Sequence, residues 1–295
     1  MKAKIGIIGG SGIDELEELG GAQWKSVSSP FGNTSDKLLF GEINRVPIVF
    51  LPRHGRGHKL TPTAINYRAN IDALKRVGVT DLISLSAVGS LKEEYEPGNF
   101  VLVDQFIDRT FSREKTFFGE GCVAHVSFSH PISCRLQKAL HNTCEELGLR
   151  SHLGGTYICM EGPQFSTLAE STLYRSWGCD VIGMTNMPEA KLAREAELPY
   201  ATVAMVTDYD CWHSEHEAVS VESVIKVIEK NRDNANLLVK NVLPRIKVRP
   251  EEDIQGGDRA LDFAIVTSPD SRAPEMVARL DAIAGRVLKE KLEDG

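Results

Sequence analysis

Short β-branched or apolar runs recur along the chain at Ile5–Ile8, Pro47–Leu51, Leu82–Leu85, Phe100–Val103, Gly155–Cys159, Val181–Met184 and Tyr200–Val206. Runs of this length without polar alternation predict strands buried on both faces. Helical spacing appears between several of them. Thr61-Pro62 marks a helix start, and Tyr67, Ile71, Leu74 and Val77 follow at spacings of four and three. Further helices are predicted over Pro131–Leu147, Pro188–Glu197 and Val219–Leu243, the last carrying an apolar stripe of Val221, Val224, Ile225 and Ile228. Strands and helices in alternation predict an α/β fold.

The pattern breaks at Arg249–Asp258, where Pro250, three consecutive acids and Gly256-Gly257 predict a linker. The chain thus divides into a catalytic domain over 1–248 and an extension over 249–295, in which the apolar run Phe263–Val266 precedes a helix from Pro274. Composition fits this outline: 295 residues, 42% hydrophobic and 25% charged, suffice for one large core.

The net charge of -7, with acids and bases mixed throughout, leaves no basic stripe for a nucleic acid backbone. A small anionic ligand must therefore be met by local groups. No run reaches the roughly 20 apolar residues of a membrane span, and MKAKIGIIGG leads straight into a strand without a cleavage region, so a cytoplasmic protein with no membrane partner is expected. Six cysteines without a Cys-x-x-Cys pair predict reduced, packed thiols rather than zinc ligands or disulfides.

Four constellations carry candidate chemistry. In Gly9-Gly10-Ser11-Gly12, following the first strand, backbone amides and the Ser11 hydroxyl can approach an anion, although a plain tight turn reads the same way. The block is neither Gly-x-Gly-x-x-Gly, since Glu15 stands three after Gly12, nor a Walker loop. Arg53-His54-Gly55-Arg56-Gly57-His58 offers a two-pronged guanidinium suited to phosphate, or else a solvated basic loop. Its histidine pair lacks nearby cysteines or acids, which argues against a metal. Ser84–Leu91 reads as a strand running into a small-residue turn, placing Ser86 and Ala87 where open α/β sheets hold ligands. It lacks the Gly-x-Ser-x-Gly elbow of a nucleophilic serine.

The fourth set is Met160-Glu161-Gly162-Pro163-Gln164-Phe165-Ser166-Thr167, Val181-Ile182-Gly183-Met184-Thr185 and Thr207-Asp208-Tyr209-Asp210-Cys211-Trp212. With the glycine loop and Arg-His-Gly-Arg in the same order, the chain resembles the purine nucleoside phosphorylase superfamily over residues 4–245. The resemblance implies a mixed central β-sheet with a distorted barrel flanked by helices, and phosphate-dependent cleavage of a nucleoside. It implies a phosphate site of Ser11, Arg53, His54, Ser86, Ala87 through its backbone, and Thr185. Ser11 and Ser86 stand where relatives commonly carry threonine, and the hydroxyl is retained. Met184 would lie under the ribose and Phe165 against the base, with Thr207 beside it.

Asp208 matches the acid that addresses the base. Adenine presents a 6-amino donor beside an N7 acceptor, so one carboxyl can accept from the first and, when protonated, donate to the second. Relatives acting on 6-oxopurines resemble one another in using asparagine there. A proton on N7 makes the base a better leaving group while phosphate attacks the anomeric carbon. The proton can be held by burial or delivered through Asp210 and water; Asp210 also reads as a helix cap or structural acid. A 5'-methylthio group would need an apolar pocket, which the resemblance assigns to Val221, Val224 and an adjacent subunit's His125, although His125 also reads as an idle loop residue. A homotrimer, no cofactor, and phosphate as co-substrate are implied. Adenosine and methylthioinosine are the competing substrates, and a non-enzymatic nucleotide-binding protein is the competing class.

Overall fold

A computed structural model describes residues 3–13, 16, 19–213, 221–249 and 257–289, excluding the side chains of 221–226 and 289. Its sheet is built on β1 (Ile5–Gly9), β4 (Val46–Pro52), β5 (Asp81–Ser90) and β11 (Tyr200–Asp208), which run parallel in the order β4-β1-β5-β11. Every residue of β1 is buried, as expected where helices cover both faces of a parallel sheet. β2 (Gly20–Lys25) and β3 (Leu38–Ile43) extend the β4 edge antiparallel, while β6 (Phe100–Leu102) and β8 (Ser151–Leu153) extend β11. A second branch leaves β5 through β10 (Val181–Gly183), β9 (Thr156–Met160) and β7 (Gln105–Arg109). The fold is therefore mixed α/β, with eleven strands among the described residues.

That branch corrects the expected turn after Leu85. β5 continues to Ser90 because it changes partners: β1 stops opposite Ser84, and β10 pairs antiparallel with Gly89 and Ser90. Between these contacts one edge of β5 lies open.

The helices are α1 (Tyr67–Arg76), α2 (Cys134–Glu146), α3 (Leu168–Ser176), α4 (Asn186–Glu195), α5 (Val221–Ile246), α6 (Pro274–Arg279) and α7 (Asp281–Lys289). α1 begins later than Thr61-Pro62 suggests. That signal is used by a 3-10 turn over Pro62–Ala64, and the Asn66 side chain caps α1 by accepting from the Ala69 N–H. α3 carries the reciprocal Thr167–Glu170 capping box. Its pattern is inconspicuous because only Ser171 and Tyr174 on it are buried.

Beyond the expected linker, Leu261, Ala264, Leu280, Ile283, Ala284 and Leu288 join the main core. α7 is tied to α1 by Arg76 and Asp281, at 3.0 Å between Nη1 and Oδ2. The Phe263–Val266 run contributes an isolated bridge between Ala124 and Ile265, and Phe263 is 99% exposed. The six cysteines are free; four are buried. Among the described residues, no helix is long and apolar enough to cross a membrane.

Glu195, at the end of α4, is buried without a cationic partner among the described residues and accepts from the Thr116 hydroxyl and the Phe117 N–H, each at 2.7 Å. Burial pushes its carboxyl up to about 7, against those hydrogen bonds. A folded-state pKa above the unfolded value gives stability that is complete below the unfolded pKa and lost as pH rises through 7. Glu195→Gln keeps a carbonyl for Phe117, while the Thr116 hydroxyl can turn to accept from the amide. The variant is therefore expected to match the parent near pH 4 and to exceed it above pH 7 by roughly 3 kcal/mol at most, as measured by urea unfolding across pH.

Candidate active site

The C-terminal ends of the parallel strands and the open edge of β5 converge on one cavity of about 340 Å³, the position where open α/β sheets take ligands. β1 delivers Gly10 and Ser11, β4 delivers Arg53 and His54, β10 delivers Met184 and Thr185, and β11 delivers Thr207 and Asp208. Ser86 and Ala87 line the cavity from the middle of β5.

Gly10 lets the first loop lie flat on β5. A Cβ there would stand 2.5 Å from the Leu85 carbonyl oxygen and 3.0 Å from Arg53 Nη1. That carbonyl points into the open edge of β5 and accepts from Arg53 Nη1 at 3.0 Å. Strand alternation turns the Ala87 N–H the same way. Hydroxyls gather beside it: Ser86 Oγ lies 3.2 Å from Tyr157 OH and 3.4 Å from Thr185 Oγ1.

Arg53 differs from the sequence picture of a fork aimed at phosphate. Its guanidinium is fully buried, with Nε donating to Glu189 Oε2 at 2.7 Å and Nη2 to Glu189 Oε1 at 3.0 Å and Ser84 Oγ at 2.6 Å. After the Leu85 bond, one Nη1 hydrogen remains for the glycine loop and cavity. Glu189 also accepts from Ser84 Oγ and Tyr200 OH, at 2.7 and 2.9 Å. No motif flags Glu189, because it lies 136 residues from Arg53 on an otherwise ordinary helix.

His54 is buried with Nδ1 2.9 Å from the Leu60 carbonyl oxygen. Burial brings its pKa down to about 3, aided by the Arg53, His58 and Arg113 charges and opposed by the Leu60 carbonyl. The neutral ring therefore carries its proton on Nδ1, and Nε2 is an acceptor.

Asp208 lines the same cavity, beside Gly89 of β5. Its Oδ2 lies 2.6 Å from Thr207 Oγ1, and its Oδ1 accepts from the Asp210 N–H at 2.8 Å. Burial raises the Asp208 carboxyl above the ordinary aspartate range; the Thr207 hydroxyl and the Asp210 N–H oppose the shift, and the Asp210 charge adds to it. Thr207 Oγ1 is also 3.1 Å from the Val88 carbonyl oxygen. Its one hydrogen can serve Asp208 when that group is ionised and Val88 when Asp208 is protonated. Gly89 leaves room for this acid, since a Cβ there would stand 2.9 Å from Asp208 Oδ1.

Asp210 lines the same cavity in a left-handed conformation, φ 53°, and begins none of the described helices. Both its oxygens lie 2.8 Å from Ser166 Oγ. Ser166 belongs to the Glu-Gly-Pro-x-Phe-Ser block but carries no role at the sequence level; this contact supplies one. Phe165, Met184, Pro163, Ile182 and Ile228 form the apolar lining. The side chains of Val221 and Val224 lie outside the described residues, whereas Ile228, one turn further along α5, reaches the cavity. His125 does not line it. That residue lines a second cavity of about 490 Å³ with His130, Arg194, Arg259 and Phe263.

A single cavity thus gathers hydroxyl and amide donors, a buried cation, a neutral imidazole, a buried carboxyl and apolar side chains. Comparison with known proteins places this arrangement among phosphorylases. A family model described as the phosphorylase superfamily matches residues 4–244. S-methyl-5'-thioadenosine phosphorylase of Rhodospirillum rubrum is 59% identical over 284 residues, covering 96% of this chain and 97% of its own. The crystal structure of a methylthioadenosine phosphorylase from an antarctic soil metagenomic library superposes with a TM-score of 0.90 at 45% identity, covering 96% of this chain and 99% of the other. The Schistosoma mansoni methylthioadenosine phosphorylase in complex with adenine gives 0.84 at 36%, with coverage of 92% and 99%.

Proposed function

The chain belongs to the phosphorylase superfamily, and from that premise we propose that it cleaves 5'-methylthioadenosine with phosphate, releasing adenine and 5-methylthioribose 1-phosphate. The observation that carries this proposal is Asp208: a carboxyl with a raised pKa, lining one cavity with Ser11, Ser86, Ala87 and Thr185. Phosphate sits among those groups, held by the Ser11, Ser86 and Thr185 hydroxyls, the Ala87 N–H and the remaining Arg53 hydrogen. His54 Nε2 accepts the hydrogen of a protonated phosphate oxygen. The base lies between Phe165 and Asp208, and the ribose lies over Met184.

A phosphate oxygen forms its bond to the anomeric carbon as the bond to N9 breaks. The electron pair passes into the adenine ring, and Asp208 delivers its proton to N7, so that the base leaves neutral. Thr207 turns its hydrogen from Val88 to the carboxylate thus formed. Asp210, fixed by Ser166, holds Asp208 through its backbone N–H and lies on the route by which water returns the proton.

Phosphate is a co-substrate, and no cofactor takes part. Ile228 lines the apolar 5' pocket, which His125 of a neighbouring copy closes in a homotrimer; in its own chain His125 lies in a different cavity. Catalysis belongs to residues 1–248, with 249–295 as an extension. The setting is cytoplasmic purine and methionine salvage. Adenine release from methylthioadenosine, adenosine and methylthioinosine, with and without phosphate, tests the proposal. The expected result is phosphate-dependent release that is fastest with methylthioadenosine; equal release without phosphate would sink it.

A further inference from the structure

Arg113 occupies the loop between β7 and α2, and its side chain is 1% exposed. It lies behind the cavity wall rather than in it; neither Arg113 nor Glu161 is among the lining residues. Its Nε donates to Glu161 Oε1 at 2.9 Å and its Nη2 to the Glu161 carbonyl oxygen at 2.7 Å. On the other side, Nη1 lies 2.6 Å from the carbonyl oxygens of both Met184 and Met187, and 3.1 Å from Tyr67 OH.

Glu161 gathers further segments. It accepts from Thr63 Oγ1 at 2.5 Å and from the Phe111 and Ser112 N–H groups at 2.6 and 3.1 Å. Burial alone would raise its carboxyl, but these bonds and Arg113 bring it down to about 2. The knot therefore ties together three stretches that each supply cavity wall: Thr61-Pro62, Met160 to Phe165, and Met184-Thr185. Gly162 presses the second stretch onto the third, since a Cβ there would stand 2.5 Å from Met184 Sδ.

We propose that Arg113 is a positioning residue that holds the base-facing wall, Met160 to Phe165, in register with the Met184-Thr185 stretch, where the ribose meets the phosphate, so that both co-substrates bind in one reactive alignment. This rests on the phosphorolysis proposed above, in which Phe165 and Thr185 face different co-substrates. A planar guanidinium suits the task because its donors diverge toward both walls at once. A lysine ammonium gathers its donors on one atom and cannot bridge Glu161 to the Met184 and Met187 carbonyls. A misalignment of about 1 Å between reacting groups costs on the order of 100-fold in rate.

The test is steady-state kinetics of full-length Arg113→Ala and Arg113→Lys with methylthioadenosine and phosphate each varied, with and without millimolar guanidinium chloride. In Arg113→Ala, the KM for both co-substrates is expected to rise together, and kcat/KM to fall about 100-fold. Added guanidinium should restore part of the rate, whereas sodium chloride at equal ionic strength should not. Arg113→Lys should show the joint rise in KM without rescue, and it decides the matter if the alanine variant does not fold. Wild-type constants in the lysine variant, or a rise in KM confined to one co-substrate in either variant, would overturn the proposal. Wild-type enzyme that releases adenine without phosphate would instead remove the phosphorolysis reading, whatever the Arg113 variants do.

Discussion

Asp208→Asn is expected to lower kcat/KM for methylthioadenosine by about 10²- to 10⁴-fold, the range lost when a positioned general acid is removed. The local fold should survive. The asparagine carbonyl still accepts the Asp210 N–H, and Thr207 can turn its hydrogen to Val88 and accept from the amide. What disappears is a group that accepts from the 6-amino group and gives a proton to N7. A 6-oxopurine reverses the first requirement, so the amide can donate to O6 while its carbonyl accepts from a protonated N7; methylthioinosine should lose less, and the preference should move toward it. The pH profile should change as well. Burial raises the Asp208 pKa and the protonated form is the active one, so the parent rate falls as pH rises through that pKa. In the asparagine variant this limb is absent. Turnover of both nucleosides against pH measures each part.

Arg53→Met should damage stability and phosphate use together. Its guanidinium is buried against Glu189, and removing one partner of a buried pair costs about 3–5 kcal/mol because the other charge is left uncompensated. The phosphate KM should rise by about 10- to 100-fold, as expected for one lost hydrogen bond to a charged group. Combining Arg53→Met with Glu189→Leu separates the two effects. Removing both charges should return most of the stability measured by denaturant unfolding, while the phosphate KM stays high. If the double variant regained phosphate affinity, Arg53 would be a structural ion and nothing more.

The parallel strands were legible because their burial on both faces leaves uninterrupted apolar runs, as in Ile5–Ile8 and Tyr200–Val206. β2 and β7 were not, since five of the six residues of Gly20–Lys25 and both ends of Gln105–Arg109 are exposed. No local pattern could show that β5 exchanges β1 for β10, which places Ser86 and Ala87 at an open edge of a strand rather than in a turn. The residues facing the cavity were accessible through motifs: Ser11, His54, Thr185 and Asp208 all come to one cavity. Their supports were not, because contacts such as Arg53–Glu189 and Arg113–Glu161 join ordinary charged residues far apart in the chain. Ser166 lies between these cases. Its motif was visible, but its bond to Asp210 exists only once β9 and β11 are brought together.

Phosphorus NMR of a reaction containing the enzyme, methylthioadenosine and inorganic phosphate tests the central claim most directly. The account predicts that the inorganic phosphate signal is converted into a sugar 1-phosphate signal, one for each adenine released. Adenine released with free methylthioribose and an unchanged phosphate signal would mean hydrolysis, and would contradict it.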